Sequence, residues 1–200
     1  MNIQLSDHFN YKKLFLFTLP SVVMMVFTSV YCVVDGFFVS NFAGKTAFAA
    51  INLIMPFIMI LGGIGFMIGT GGSALVSYTL GTGDKEKANR YFSMLVYFTI
   101  LAGILLTVLG IIFVRPIAEL FGADESMMDT CVLYGRIVIA FNAAFMLQNI
   151  FQSFFVVAEK PRLGLIVTIA AGVTNMVLDA LFVGVFKWGT VGAALATGIS

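Results

Sequence analysis

Long apolar runs dominate this chain of 200 residues. They cover about residues 14–40, 47–80, 91–114, 131–157 and 163–186, and a sixth begins near residue 189. A run of about 18 or more apolar residues can cross a bilayer. In lipid the backbone must satisfy its own hydrogen bonds, which favours helices over isolated strands. The sequence therefore predicts an all-α fold, a polytopic transmembrane helical bundle of about six helices.

Composition excludes several other classes of protein. Sixty per cent of the residues are hydrophobic and 10% are charged, whereas soluble domains carry about a quarter charged residues. The net charge of +1 leaves no basic surface for nucleic acid. Cys32 and Cys131 lie in or beside apolar runs without metal-ligand spacing, so we expect both to pack as small hydrophobes. No cofactor is expected.

Basic residues between the runs predict the orientation in the membrane. Lys12, Lys13, Lys85, Lys87, Arg90, Lys160 and Arg162 fall on one side, and Lys45, Arg115, Arg136 and Lys187 on the other. Loops rich in lysine and arginine stay in the cytoplasm. The amino terminus is therefore predicted to be cytoplasmic.

The sixth run stops at Ser200 after about a dozen residues, without a flanking charge or an aromatic anchor. A helix cut inside the bilayer leaves carbonyls without partners. We expect the chain to be part of a longer protein.

Two acids, Asp35 and Asp179, lie inside apolar runs. Each costs roughly 3 kcal/mol at the centre of a transmembrane helix, so each needs a partner or a wet cavity. Counted from the predicted cytoplasmic ends, both lie roughly 24 to 32 Å along their helices. They should therefore share a depth in the outer half of the membrane.

Other oxygen-bearing side chains fall at a similar depth. Asn175 is one turn before Asp179 and on the same face, Thr197 follows the turn expected near Lys187 and Trp188, and Tyr134 starts the fourth helix. Carboxylate, amide and hydroxyl oxygens suit a hard cation such as Na⁺, and a buried carboxylate can instead hold a proton. The set is a candidate coupling-cation site. The alternative is that these groups only tie helices together or line a wet outer mouth.

Two further patterns belong to the second and fourth helices. Gly65 and Gly69 have the spacing that lets helices approach closely. Phe141, Phe145, Gln148 and Gln152 follow one another at three- and four-residue steps and form a stripe of rings and amides. Such a stripe could line a cavity for amphipathic cations, or could simply pack or face lipid.

Paired intramembrane aspartates also occur in proteases, where they share a proton and activate water. Neither Asp35 nor Asp179 follows a tyrosine here, and the Gly83-Asp84 sequence runs into charged loop residues. No zinc-binding or serine-nucleophile signature is present either. An enzyme is not expected.

Several motifs together resemble the multidrug and toxic compound extrusion (MATE) transporters over essentially the whole chain. They are Leu19-Pro20, Asp35-Gly36-Phe37-Phe38-Val39, Gly71-Gly72-Ser73-Ala74-Leu75, Leu80-Gly81-Thr82-Gly83-Asp84, Asn175-Met176-Val177-Leu178-Asp179 and Gly189-Thr190-Val191-Gly192-Ala193-Ala194-Leu195-Ala196-Thr197. Val157-Ala158-Glu159-Lys160-Pro161 looks closer to the MepA-like bacterial branch.

The resemblance implies the amino-terminal six-helix lobe of a twelve-helix antiporter. Such a protein exports drugs and organic cations across the bacterial inner membrane in exchange for H⁺ or Na⁺, by alternating access. Asp35, Asn175, Asp179 and Thr197 match the family's amino-lobe cation site, Tyr134 adjoins it, and Pro20 matches a bend point in the first helix. The carboxy-terminal lobe is then the missing partner.

Two other functions stay open at the level of the sequence. A flippase for lipid-linked oligosaccharides in the same superfamily should carry cationic residues for the pyrophosphate, and the spans hold almost none. A membrane scaffold subunit would transport nothing.

Overall fold

The computed structural model of the protein describes residues 10–200. Over that part of the chain, α-helices alternate with short turns and two π-helical segments. They are α1 (Tyr11–Phe38), π1 (Val39–Ala43), α2 (Lys45–Gly81), α3 (Lys85–Leu120), α4 (Glu125–Ala140), α5 (Asn142–Val157), α6 (Pro161–Asp179), π2 (Ala180–Val185) and α7 (Gly189–Ile199). The predicted all-α bundle is confirmed.

Four helical stretches are long and apolar enough to cross a membrane, and α4 with α5 makes a fifth if the bent pair counts as one span. The continuous stretches are Tyr11–Ala43, Lys45–Gly81, Lys85–Leu120 and Pro161–Val185. The sixth predicted helix corresponds to α7, a shorter apolar helix of 11 residues.

The helix expected over residues 131–157 is interrupted in the structure. The chain forms α4 and α5, which are inclined at 50° to each other. Between them the N–H of Phe141 donates to the carbonyl of Val138 at 3.1 Å, so the turn tightens from four residues to three and the axis changes direction. No proline or glycine marks this position in the sequence, which is why the break was not predicted.

The centre of the bundle is α2, which packs against α3, α4 and α5. Glycines of α2, which have no side chain, lie where α5 crosses it. A Cβ on Gly65 would lie 2.6 Å from the Cα of Met146, and one on Gly69 would lie 3.1 Å from the Cα of Ile150. The predicted close approach through Gly65 and Gly69 is confirmed.

The first and sixth helices form a pair on one flank of the bundle. None of the residues of α1 is buried, and its main helical neighbour is α6. Thr168 of α6 connects this pair to α5, since it accepts a hydrogen bond from Gln152 at 2.9 Å. A side-chain hydrogen bond therefore joins this flank to α5, and α6 also packs against α7.

Candidate cation site

The two predicted acids lie side by side on the α1–α6 flank. Asp35 is three residues before the end of α1, and Asp179 is the last residue of α6. Their carboxyl groups are within hydrogen-bonding reach of each other. The shared depth expected from the sequence therefore corresponds to direct proximity in the structure.

Both acid-bearing helices change geometry just beyond the carboxylate. Helix α1 passes into π1 at Val39, and α6 passes into π2 at Ala180. The two π-helical segments also contact each other. Insertions of π-helix are uncommon in proteins as a whole, and those that do occur lie frequently at functional sites.

The carboxylates lack protein partners that could offset their charge. Among residues 10–200, no group donates a hydrogen bond to Oδ1 of Asp35 or to either carboxylate oxygen of Asp179, which is fully buried. Two ionised carboxylates at this distance repel each other, and a hydrogen bond between them needs one of them to carry a proton. The pair is therefore complete only with a proton or a bound cation.

Asn175 adds a further oxygen on the same side of α6. Its side chain is only 3% exposed, and its Oδ1 has no hydrogen-bond partner in the described part of the chain. It stands one helical turn before Asp179, so the two side chains share a face. An unpartnered amide oxygen is a good ligand for a hard cation and a poor ligand for a soft one.

Tyr134 and Thr197 border the carboxylates from α4 and α7. Tyr134 is 1% exposed, makes a side-chain hydrogen bond with Thr197, and lies in electrostatic range of both Asp35 and Asp179. The structure thus brings together all five residues that the sequence assigned to the site. Their role in binding an ion stays a prediction.

The oxygen set suits Na⁺ or a proton. The described residues contain no group of three or more histidine, cysteine, aspartate or glutamate side chains placed to hold a metal ion together, and transition metals prefer histidine and cysteine ligands. Na⁺, as a transported or coupling ion, would use the unpartnered oxygens of Asp35, Asn175 and Asp179. Thr197 would complete the set from α7.

The predicted substrate stripe does not line one cavity. Gln148 and Gln152 line a groove of about 210 Å³ between α5 and α6. Phe145 instead lies over Gly62 of α2, and Phe141 lies against Gly198 of α7, each where a Cβ on the glycine would collide with the ring. The 50° break after α4 turns the stripe, so its members serve different interfaces.

Pro20 lies within α1, which continues as one helix on both sides of it. The bend that the sequence predicts at Pro20 is therefore not a break in the helix. A proline inside a helix still removes one backbone hydrogen bond, which leaves this part of α1 easier to bend than the rest.

Tyr31 is one neighbour of the site that the sequence analysis missed. It stands one turn before Asp35 on α1 and interacts with it electrostatically. The four-residue spacing was visible in the sequence. Without knowledge of which face of α1 meets α6, however, that spacing did not distinguish Tyr31 from the other aromatic residues of this helix.

Comparison with known proteins gives consistent results. The chain is 26% identical over 190 residues to the multidrug export protein MepA of Staphylococcus saprophyticus. The match covers 95% of this chain and 42% of the relative. It is equally similar to MepA of Staphylococcus aureus. The chain thus spans less than half the length of the curated relatives it matches.

Solved structures share the fold. A crystal structure of a MATE protein in complex with MaD3S superposes with a TM-score of 0.88 at 23% identity, over 94% of this chain and 42% of that one. A crystal structure of MATE in the straight conformation gives a TM-score of 0.87 at 23% identity, over 94% and 42%. A MOP superfamily transporter from Pyrococcus furiosus superposes with a TM-score of 0.88 at 23% identity, over 94% of this chain and 42% of that one. The MatE family profile matches residues 20–181, and the chain belongs to this family of multi-pass membrane proteins.

Proposed function

We propose that the complete protein exports amphipathic, cationic drugs across the bacterial plasma membrane in exchange for H⁺ or Na⁺. The observation that carries the proposal is the Asp35–Asp179 pair, because Oδ1 of Asp35 and both carboxylate oxygens of Asp179 are buried without protein donors. The names of the relatives, multidrug export proteins, support the substrate class. The basic residues near the start of α1 and between α5 and α6 support a cytoplasmic amino terminus.

The mechanism follows from charge. A bound proton or monovalent cation cancels one of the two negative charges and is shared between the carboxylates, so α1 can lie against α6. Without it, the two carboxylates repel each other and favour a state in which α1 and α6 are further apart or water enters between them. An ion can drive transport only through different affinities for the two states. Binding on the outer side and loss on the inner side would then couple the ion gradient to drug export.

The test uses the complete protein in proteoliposomes with a fluorescent organic cation as substrate. Asp35→Asn and Asp179→Asn each remove one charge with little change of shape, and Asp129→Asn, an exposed acid of α4, is the matched control. We expect each site variant to lower gradient-driven efflux at least tenfold and the control to leave it unchanged. Separate proton and sodium gradients identify the coupling ion. Full efflux from both site variants would contradict the proposal.

A further inference from the structure

The α1–α6 contact continues well beyond the acids. Both helices begin on the same side of the bundle, since Met24 lies level with Thr168, Phe27 with Gly172, and Asp35 with Asp179. They are therefore parallel. The contact runs, turn by turn, from the side where both helices begin toward the acids.

At the end farthest from the acids, the α1–α6 contact borders the groove between α5 and α6. Thr168 lines this groove and is 5% exposed. Gln152 lines it too, and its Nε2 donates to Oγ1 of Thr168 at 2.9 Å and to Sδ of Met24 on α1 at 3.1 Å. Polar groups from α5 and α6 thus form the inner end of the groove, against α1. The groove ends at the α1–α6 contact.

The next level is closed by aromatic rings. Phe27 and Tyr31 of α1 have ring centroids 6.4 Å apart, and both rings lie on Gly172 of α6. A Cβ there would be 2.5 Å from Cε1 of Phe27 and 3.0 Å from Cδ1 of Tyr31. Only glycine allows the rings to lie this close to the backbone of α6.

Beyond the rings, α6 again carries polar side chains. Asn175 lies about one turn past Gly172, and Asp179 about one turn farther. From Thr168 to Asn175 the gap is about 10 Å along α6, and the rings on Gly172 occupy it. The α1–α6 contact is thus polar at the groove, apolar in the middle and polar at the acids.

We propose that the coupling ion exchanges with the side where α1 begins along the α1–α6 contact, and that Phe27 and Tyr31, seated on Gly172, close this route. This proposal rests on the proposed function, and it assigns the residues that close the cation site on the side where α1 begins. A cation does not enter a dry apolar gap because it would lose its hydration without gaining ligands. The rings therefore hold the site shut until α1 moves relative to α6.

The width of the barrier explains why two rings are needed. A gap of about 10 Å is roughly two helical turns, and each ring covers about one of them. Because Gly172 has no side chain, the rings lie against the backbone of α6 without interlocking with a side chain at that position. Movement of α1 away from α6, which also breaks the Gln152–Met24 contact, then opens the route.

The test measures access to Asn175 in the complete protein and does not depend on transport. Asn175→Cys is placed in a background in which Cys32 and Cys131 are alanine, and everted vesicles expose the side where α1 begins. The probe is a membrane-impermeant trimethylammonium methanethiosulfonate. We expect Phe27→Ala to raise the rate of labelling at least tenfold, and Phe15→Ala, a 62% exposed ring of α1, to leave it unchanged.

Two further barrier variants and one reporter variant serve as controls. Gly172→Ala should also raise the rate, because the new methyl displaces both rings. Phe27→Leu should give an intermediate rate and replaces Phe27→Ala if that variant does not fold. Gln148→Cys, in the groove, must be labelled in every background, which shows that the probe reaches the groove.

Equal rates at position 175 in the parent, Phe27→Ala and Gly172→Ala proteins would overturn the inference, as would an unlabelled Gln148→Cys. Failure of the proposed function gives a different pattern. In that case Asp35→Asn and Asp179→Asn retain ion-driven efflux, whatever the labelling rates are.

Discussion

At the scale of single residues, the structure gives buried polar side chains specific partners across helices. Tyr134 of α4 bonds Thr197 of α7, and the thiol of Cys131 donates to the carbonyl of Ala50 on α2 at 3.3 Å. Each bond joins segments distant in sequence. Because a buried polar atom without a partner is costly, these contacts fix which helix faces meet.

Tyr134→Phe should lower stability by about 1 kcal/mol, because it removes one hydrogen bond from a buried site without changing the ring. Tyr78→Phe is the control, since Tyr78 is 76% exposed. Thermal unfolding of the complete protein in detergent measures both. Equal melting points for the two variants would show that the Tyr134–Thr197 bond adds nothing.

Asp124 caps the first turn of α4 outside the membrane-spanning part. Its carboxylate accepts from the Ser126 hydroxyl at 2.6 Å and from the Met127 N–H at 2.9 Å, and these bonds, the Ser126 one most, lower the pKa of Asp124. A pKa lowered by folding adds stability above the unfolded value of about 3.9, and that stability is lost as the pH falls through the folded value.

We therefore expect Asp124→Ala to melt at a lower temperature than the parent at pH 7, and the difference to shrink below about pH 4. Asp129→Ala, an exposed acid within α4, is the control. Melting curves recorded from about pH 7 to about pH 3 measure the effect. A difference that stays constant over this range would rule out a contribution from the charge of the cap.

At the scale of helices, small residues decide how closely the elements pack. Gly65 of α2 meets the backbone of α5, and Gly172 of α6 receives two rings of α1. Other glycines of the same chain face open space, such as Gly63. The glycine spacing alone does not separate these two groups, because it does not show which side of α2 another helix covers.

Gly65→Ala should destabilise the protein by about 1–3 kcal/mol, because the new methyl would push α2 away from the Cα of Met146. Gly63→Ala should be neutral or stabilising by up to about 1 kcal/mol, since alanine favours the helix. Thermal unfolding of the two variants gives the comparison. The packing argument is wrong if Gly65→Ala is as stable as Gly63→Ala.

At the scale of the molecule, the α1–α6 pair stands beside a core built around α2. Buried residues of α2, α3 and α4, with Ile54, Val114 and Ile139 among them, form that core, whereas α1 contributes none. Gln152 joins the two parts by bonding both Thr168 and Met24. Neither α1 nor α6 contributes a buried residue to this core, so α1 can shift relative to it and to α6.

Gln152→Met keeps the length of the side chain and removes its donors. We expect it to cost about 1–2 kcal/mol and to speed amide hydrogen exchange in α1 and α6 more than in α2. Asn149→Leu is the control, because the Asn149 amide bonds only the Phe145 carbonyl of its own helix. Uniformly faster exchange in all helices would mean that Gln152 supports the whole fold and not this junction.

The fold class and the residues that are costly to bury in a membrane could be predicted from the sequence alone. Apolar runs in lipid must be helical because no other continuous segment satisfies its own backbone, and Asp35 and Asp179 stand out because an acid in such a run needs a partner. Their distances from the predicted cytoplasmic helix ends also place both acids at a common depth. These inferences use only the period of one helix and the chemistry of one side chain.

The way the helices meet could be learned only from the three-dimensional fold. The break at Phe141, the division of the aromatic stripe and the rings of Phe27 and Tyr31 on Gly172 all depend on contacts between segments far apart in the chain. Periodicity shows which residues share a face of a helix, but the register between two helices is set by the side chains that interlock across them. For that reason the acids were predictable, and the rings that separate them from the groove were not.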